Sequence, residues 1–302
     1  MIRYLDEAGV RAVLRWEPLF TAMEEALAAF SAGRVIQPVR NMLTIEEGKR
    51  YLGIMPAVAE KAMGAKLVSF YPANAGTGVP THMAMILLFR ADTGEPLAVM
   101  DGRLLTEMRT AAVSAVVTRA LASPQSRILA LIGSGVQAAA HLEALSRLFR
   151  FEEVRVWSRT PEHARHFGEE HEVRVTPNAE TAVRDADIVV TATNAREPVL
   201  EGAWLKRGAH VNAVGAPRPD WRELDDEAMT QSVLVVDSRE AVLKEAGDVI
   251  LSKAAIYAEV GEIFAGTTPR PPAGRRTVFK SVGLAIEDIA AAKLAYEAAA
   301  QS

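Results

Sequence analysis

The sequence contains no cysteine. This absence excludes disulfide bonds, thiolate nucleophiles and cysteine-ligated zinc, and it fits a reducing compartment. No apolar run approaches the about 18 residues that a membrane-spanning helix needs, and the first residues carry acids where a signal peptide needs an apolar core. We therefore expect a cytoplasmic protein that has no membrane partner.

The sequence also lacks a basic tract and metal-ligand spacing. The net charge is −4 and the basic residues are scattered, so we expect no nucleic-acid partner. No grouping of histidines and acids has the spacing of a metal site, and we predict none. The 302 residues, 49% hydrophobic and 24% charged, are typical of a globular protein long enough for two domains.

A glycine turn in the middle of the chain carries the strongest signal. The apolar run Ile128–Ile132 predicts a buried strand, and Val136–Leu148 has helical periodicity. Between them, Gly133 permits a tight turn and Gly135 lets backbone N–H groups approach a pyrophosphate, while Ala138 allows close packing of helix on strand. The helix N-terminus adds partial positive charge. The pattern predicts a dinucleotide-binding domain of the Rossmann type.

Strands and helices alternate after the glycine turn. The predicted strands are Val154–Trp157, Val173–Val175, Ile188–Ala192, His210–Val214, Val233–Val236 and Val278–Ser281, and the predicted helices between them include Pro161–Phe167 and Ala179–Arg184. This alternation predicts a parallel sheet with helices on both faces.

The first third of the chain has a different pattern. Helices are predicted from Asp6 to about Arg15 and from Pro18 to Gly33. They precede five strands in quick succession, Val39–Ile45, Arg50–Ala57, Ala65–Tyr71, His82–Phe89 and Leu97–Met100. Such a succession predicts an antiparallel sheet and an α+β domain. A long helix, Thr106–Ala122, follows, and we expect the last helix, Leu284–Ala299, to return to this first domain.

The end of the second predicted strand of the dinucleotide domain indicates the cofactor. Sites that prefer NAD place an acid there to bind the ribose 2′-hydroxyl, but this chain has Ser158, Arg159 and Thr160. A guanidinium flanked by two hydroxyls suits a 2′-phosphate, so we predict NADPH. The alternative is that Arg159 is only a solvated loop residue.

Other strand ends should line the same cleft, since ligands of open α/β sheets bind at the carboxyl ends of strands. Thr193 and Asn194 follow one strand, Val214 closes another, and Ser281 ends the last. Each of them alone could belong to a plain turn.

Cations in the first domain indicate the substrate. Arg40 and Lys66 are predicted inside apolar, neighbouring strands, where they suggest a pair that binds a carboxylate. The alternative for each is a solvated strand edge. Arg109 lies on the long helix. His82 begins a strand and is more often a structural histidine than a catalyst.

Several stretches together resemble the ornithine cyclodeaminase/mu-crystallin family over nearly the whole chain, and within it the NADPH-dependent ketimine reductases. They are QPVR (37–40), AKLVSFY (65–71), AVMDG (98–102), RTAAVSA (109–115), GSGVQA (133–138), VNAVGAPRPDWRELDDE (211–227) and VFKSVGLAIED (278–288). The resemblance implies a homodimer formed through the N-terminal domain, whose sheets pack face to face, with a Rossmann domain on each flank.

The resemblance also implies roles for individual residues. Arg40, Lys66 and Arg109 match residues that contact the substrate carboxylate, and Glu245 matches one at the ligand pocket. The positions that match the nucleotide site are Thr81, His82, Arg109, Ser134, Val136, Gln137, Ser158, Arg159, Thr160, His163, Thr193, Val214 and Ser281.

One departure from the family separates two activities. Cyclodeaminases carry a catalytic Asp shortly after the strand predicted at 210–214, and Pro217 stands at that place here. Asp220 and Asp225 are offset from it and are more often structural. The departure therefore favours a reductase.

The predicted fold class is α/β, with an α+β substrate-binding and dimerisation domain (1–110 with 283–302) and a Rossmann NADP-binding domain (111–282). The predicted function is NADPH-dependent reduction of cyclic ketimine carboxylates, of the piperideine-2-carboxylate or pyrroline-2-carboxylate type, to cyclic amino acids. Lys66, or water, would polarise or protonate near the imine. The alternatives are ornithine cyclodeaminase or alanine-type dehydrogenase activity, and a cofactor-loaded protein that binds an aromatic carboxylate.

Overall fold

A computed structural model describes residues 2–74 and 76–301. The chain divides into two compact units, one of Met1–Thr110 with Gly283–Ser302 and one of Ala111–Val282. Within the described residues, no helix is both long enough and apolar enough to cross a membrane.

In chain order the helices and strands are β1 (Arg3–Leu5), α1 (Glu7–Val13), α2 (Trp16–Ser31), β2 (Asn41–Glu46), β3 (Arg50–Ala59), β4 (Ala62–Phe70), β5 (His82–Phe89), β6 (Pro96–Asp101), α3 (Arg103–Leu121), β7 (Ile128–Ile132), α4 (Val136–Leu148), β8 (Glu153–Trp157), α5 (Pro161–His171), β9 (Arg174–Val175), α6 (Ala179–Val183), β10 (Ile188–Thr191), β11 (His210–Ala213), α7 (Asp226–Thr230), β12 (Val233–Val236), α8 (Arg239–Glu245), α9 (Gly247–Ser252), β13 (Ile256–Glu259), α10 (Val260–Phe264), β14 (Thr277–Lys280) and α11 (Ala285–Gln301).

The first unit is a six-stranded sheet of order β1-β6-β5-β4-β3-β2. The predicted antiparallel pairing of β2 to β6 is confirmed. The sequence analysis missed β1, which adds to β6 in parallel and has only three residues. Asp6 caps α1 by accepting a hydrogen bond from the Gly9 N–H, as predicted. The helix α2 begins at Trp16, so Pro18 lies in its first turn, where a missing N–H costs nothing.

The two faces of this sheet differ in burial. Helix α11 packs against β3, β4, β5 and α2, and it covers one face together with α1, which contacts β6. On that face Met55, Lys66 and Ile86 lie side by side in cross-strand register and are buried. On the opposite face, the side chains of Leu43 and Met85 remain 46% and 49% exposed.

The second unit is an eight-stranded sheet of order β13-β12-β14-β11-β10-β7-β8-β9. All its pairings are parallel, as predicted from the alternation of strands and helices. The strands β10 and β11 are buried along their whole length. The polar side chains of β11, His210 and Asn212, are hydrogen-bonded to Thr277 and Thr118. The sequence analysis missed α7, α8, α9, α10 and β13. They are four to seven residues long, too short to show a clear period.

Candidate functional site

The glycine turn lies at the carboxyl end of β7, as predicted. Gly133 has φ +112, and an ideal Cβ there would lie 2.5 Å from the Ala192 carbonyl oxygen, so only glycine fits. Gly135 is the exposed N-cap of α4, and no side chain caps that helix end. An ideal Cβ on Gly135 would meet no atom within 4 Å. The turn therefore leaves uncovered helix N–H groups and open space, which is what a bound pyrophosphate requires.

Residues around the turn and at the next strand end also reach this edge of the sheet. Val136 is 57% exposed despite its apolar side chain, and Ser134 and Gln137 are half-buried. After β8, Ser158 and Thr160 are half-buried, whereas Arg159 and His163 are exposed. Thr160 is the N-cap of α5 and makes no side-chain capping bond. An exposed arginine next to a helix N-terminus suits a phosphate.

Thr193 and Ser281 are held by buried carboxylates rather than pointing freely at the cleft. The Thr193 N–H and hydroxyl each donate to Oε1 of Glu223 at 2.6 Å. The Ser281 hydroxyl donates to Oδ2 of Asp237 at 3.2 Å, as does the Val282 N–H at 2.7 Å. Asn194 is exposed and follows its predicted strand, whereas Val214, predicted as the last residue of a strand, is half-buried and directly follows β11. The contacts of Thr193, Ser281 and Val282 fix the backbone at two strand ends, those of β10 and β14.

A buried lysine also connects these strand ends. Nζ of Lys280, at the end of β14, donates to the Gly215 carbonyl at 2.5 Å and lies 2.8 Å from Oδ2 of Asp248. Oδ1 of Asp248 accepts from the N–H groups of Glu223 and Leu224. Burial raises the pKa of the Glu223 carboxyl, although the Lys280 charge opposes this. The network holds the carboxyl edge of the sheet in place.

The first unit buries a charged cluster on the helix-covered face of its sheet. Nζ of Lys66 lies 2.6 Å from Oδ2 of Asp288. Arg109 donates through Nε to Oδ1 of Asp288 at 2.8 Å and through Nη1 to Glu287 at 2.7 Å. Arg40 donates through Nη2 to the Gly283 carbonyl at 2.9 Å. Lys66, Arg109, Glu287 and Asp288 are each at most 5% exposed.

Burial and neighbouring charges shift the titration of this cluster. Burial lowers the pKa of the Lys66 ammonium to about 8, although the Asp288 carboxylate raises it. Burial raises the pKa of Asp288, but the charges of Arg109 and Lys66 outweigh this and hold it below its usual range. Lys66 and Arg109 pair with the two carboxylates of α11, and Arg40 donates to the backbone just before that helix. The three cations are therefore gathered around the start of α11, where they can attract the carboxylate of a ligand.

Comparison with known proteins identifies the family. A profile of the ornithine cyclodeaminase/mu-crystallin family matches residues 4–302. The chain belongs to this family. The prediction from the sequence motifs is thereby confirmed, and so is the predicted α/β fold class with a Rossmann-type domain and an α+β domain.

Three similar proteins extend this result. The ketimine reductase mu-crystallin of Mus musculus is 51% identical over 286 residues, which cover 92% of this chain and 91% of the mouse protein. The structure of Thermococcus litoralis Delta(1)-pyrroline-2-carboxylate reductase in complex with NADH and L-proline is 38% identical, with a TM-score of 0.94, and covers 100% of this chain and 98% of its own. An archaeal alanine dehydrogenase dimer with bound NAD is 34% identical, with a TM-score of 0.92. The match covers 99% of this chain and 96% of the dehydrogenase chain.

In this family member the prediction for Arg40 was partly wrong. Arg40 lies one residue before β2 and not inside a strand. It also does not neighbour Lys66 through adjacent strands, because β3 lies between β2 and β4. The half-buried side chain instead reaches Gly283, just before α11. The predicted strand begins at Val39, two residues before the observed start of β2 at Asn41, and this difference places Arg40 outside the strand.

The remaining predicted residues have the following places. Thr81 and His82 are at the start of β5 in the first unit, with the Thr81 hydroxyl 3.2 Å from Nδ1 of His82. His82 is exposed and stacks on Phe70 at 4.3 Å. Glu245 ends α8 in the second unit and is half-buried. Asp225 is structural, as expected, because it caps α7 through the Ala228 N–H.

The sequence analysis missed Gly283, Glu287 and Asp288. Gly283 has φ +82, and an ideal Cβ there would lie 2.8 Å from Nη1 of Arg109, so glycine is needed for the guanidinium to fit. The available signal is the pair of adjacent acids in the first turn of an alanine-rich helix. Two buried acids there require buried cations as partners.

Proposed function

We propose that this protein is a reductase of cyclic ketimine carboxylates that uses NADPH. The observation that carries the proposal is the gathering of three cations, the buried Lys66 and Arg109 and the half-buried Arg40, around the start of α11, which suits the binding of a carboxylate. The relatives named as ketimine reductase and pyrroline-2-carboxylate reductase support this choice. Substrates of the piperideine-2-carboxylate or pyrroline-2-carboxylate type carry one carboxylate next to the C=N bond.

The chain's residues fit a nicotinamide dinucleotide. Gly135 leaves open space for a pyrophosphate, Gly133 permits the turn before it, and the relatives with bound NADH and NAD support such a cofactor. Ser158, Arg159 and Thr160 place no acid where a 2′-phosphate would lie, so we propose NADPH over NADH. When bound, the nicotinamide supplies the hydride for the C=N carbon.

The cations of the first unit would bind and orient the substrate. Arg40 and Arg109 hold its carboxylate through charge-assisted hydrogen bonds. Lys66 holds a proton at Nζ for the substrate nitrogen, which gains electron density as the carbon is reduced. The buried surroundings strengthen both interactions, because few water molecules compete.

We assign the site residues as follows. The substrate residues are Arg40, Lys66, Arg109 and Glu245. The cofactor residues are Thr81, His82, Arg109, Gly133, Ser134, Gly135, Val136, Gln137, Ser158, Arg159, Thr160, His163, Thr193, Asn194, Val214 and Ser281. In this assignment the first unit binds substrate and forms the dimer, and the second unit binds NADPH.

A homodimer is part of the proposal. The half-exposed sheet face of the first unit presents Leu43, Ile45, Met83 and Met85, which are 40% to 55% exposed. A sheet face of this composition suits burial against a second copy. The dimeric alanine dehydrogenase relative supports the same arrangement.

The experiment is an assay of NADPH oxidation against a panel of substrates. We expect turnover with cyclic ketimine carboxylates, and slower or no turnover with 2-oxo acids plus ammonia. We expect no ammonia release from ornithine, because Pro217 replaces the family's acid. Ammonia release at a rate that matches imine reduction would overturn the reductase assignment, and stoichiometric binding without turnover would indicate a binding protein.

A further inference from the structure

Asp288 on α11 contacts both buried cations of the first unit. Its Oδ2 lies 2.6 Å from Nζ of Lys66, and its Oδ1 accepts from Nε of Arg109 at 2.8 Å. The preceding residue, Glu287, contacts Arg109 at Nη1 instead. The two adjacent carboxylates therefore differ in one respect that an experiment can use, which is contact with Lys66.

The charge of Lys66 depends on this contact. Burial disfavours the ammonium form, and the neighbouring charges of Arg109 and Arg40 disfavour it further. The Asp288 carboxylate acts in the opposite direction, by its charge and by its hydrogen bond, so that the pKa of Lys66 lies at about 8. Without this carboxylate the remaining influences would all favour the neutral amine.

We propose that Asp288 is a positioning residue that keeps Lys66 charged and aimed, so that Lys66 can give a proton to the nitrogen of the substrate. This inference rests on the proposed reductase function. It adds the group that supports the proton donor, and it separates the role of Asp288 from that of Glu287.

The proposed step balances in atoms and electrons. As the carbon receives a hydride with its electron pair from the reduced nicotinamide, the C=N π electrons move onto the nitrogen. The nitrogen forms an N–H bond with a proton from Lys66, and the Nζ–H bond breaks, leaving a neutral amine. Water returns the proton to Nζ, and the negative charge of Asp288 favours this return.

Several other groups face Lys66 from the elements packed around it. They are Arg109 on α3, Arg40 before β2 and His82 on β5, while Glu287 on α11 pairs with Arg109. Of the groups that influence the charge of Lys66, Asp288 is the carboxylate that contacts it and favours the ammonium form.

The test compares Asp288→Asn with the matched variant Glu287→Gln. We expect kcat of the unmodified protein to fall on the alkaline side near pH 8, as Lys66 loses its proton. Asp288→Asn should move this midpoint to lower pH by about one unit or more. Glu287→Gln should raise KM through Arg109 and leave the midpoint in place. A purely structural role would lower the folded fraction at every pH without moving the midpoint, and an unmoved midpoint in Asp288→Asn overturns the inference.

A second measurement does not depend on activity. In protein carrying ¹³C-labelled lysine, NMR titration of the Lys66 ε-carbon should give the same midpoint and the same acid shift in Asp288→Asn. Lys66→Arg identifies this resonance, and it should also remove the alkaline limb of kcat. If Asp288→Asn does not fold, Lys66→Arg still tests the inference. A fall of kcat near pH 8 that remains in Lys66→Arg would overturn it. Absence of ketimine turnover in the unmodified protein would instead overturn the proposed function.

Discussion

An ideal Cβ on Gly133 would lie 2.5 Å from the carbonyl oxygen of Ala192, the residue that follows the neighbouring strand β10. Gly133 also has φ +112, which L side chains rarely adopt. Two residues later, Gly135 has φ −92, and a Cβ there would meet nothing within 4 Å. The fold therefore requires the first glycine, whereas the second leaves space at the surface of the turn.

This difference predicts that alanine at position 133 lowers stability, whereas alanine at position 135 weakens NADPH binding. Gly133→Ala should lower the free energy of unfolding by about 2 kcal/mol or more, through backbone strain and the clash. Gly135→Ala should change it by less than about 1 kcal/mol, yet raise the Kd for NADPH at least tenfold, because the methyl group would fill the place of the pyrophosphate. Urea unfolding and nucleotide fluorescence measure the two quantities. Unchanged NADPH binding in Gly135→Ala would contradict the placement of the pyrophosphate.

Arg159 should determine the preference for NADPH. Arg159→Ala should raise the Kd for NADPH about tenfold or more and leave the Kd for NADH nearly unchanged, since only NADPH carries the 2′-phosphate. The control is Arg165→Ala, because Arg165 is another exposed arginine on the adjacent helix α5. It should change neither the Kd for NADPH nor the Kd for NADH. The preference should weaken with added salt. Equal affinities for both nucleotides in the unmodified protein would refute the role of Arg159.

Arg40 is the most suitable residue for testing carboxylate binding, because it is half-buried and donates to a backbone carbonyl. Lys66 and Arg109, in contrast, pair with buried carboxylates, so their removal would also destabilise the fold. Arg40→Ala should lower kcat/KM for the imino acid by about tenfold to a hundredfold, mainly through KM. NADPH affinity should stay near that of the unmodified protein. Arg34→Ala, an exposed arginine on the same connection, should have no effect. Steady-state kinetics decide the outcome, and unchanged KM would remove Arg40 from the site.

Buried histidines should make the protein less stable in acid. Burial lowers the pKa of His141 to about 4, and that of His210 likewise. Unfolded histidine binds a proton at about pH 6.5, so acid favours the unfolded chain as the pH falls from there toward 4. Their contribution is fully present above pH 6.5, and each histidine should cost about 2 kcal/mol at pH 5.

Urea unfolding at pH 7.5 and pH 5.0 measures this loss. In His141→Gln the loss on acidification should be smaller by about 2 kcal/mol, because one titrating group is gone. His166→Gln is the control, since His166 is exposed on α5. An equal loss of unfolding free energy in the unmodified protein, His141→Gln and His166→Gln would show that burial of His141 does not govern the acid response.

The half-exposed sheet face of the first unit should mediate dimerisation. Met85→Lys places a charge in the middle of this face and should shift the protein to monomer, because burying an unpaired ammonium is costly. Leu251→Lys, at a comparably exposed apolar residue on α9, should remain dimeric. Light scattering after size-exclusion chromatography gives the mass of each. A monomeric unmodified protein, or a dimeric Met85→Lys, would contradict the proposed interface.

The sequence alone predicted the elements whose signal is local. The runs that form β5, β7 and β12 and the helix α4 were placed at their observed bounds, because alternation, apolar runs and helical periodicity depend only on near neighbours. The glycine turn was also predicted, because its strand–glycine–helix pattern is local, whereas the clash with Ala192 that Gly133 avoids is visible only in the tertiary structure. The three-residue β1 and the short helices α7 to α10 carry too few residues to show a period.

Only the tertiary structure decided which charges meet. Lys66, Arg109 and Asp288 are separated by up to 222 residues in the sequence, and no local pattern pairs them. From the sequence we expected Lys66 to await a ligand's carboxylate, whereas Asp288 already contacts it. Thr193 and Ser281 were likewise placed at strand ends, but their bonds to Glu223 and Asp237 were not foreseen. Burial of a charge requires a partner, and the fold alone determines which partner comes within hydrogen-bonding distance.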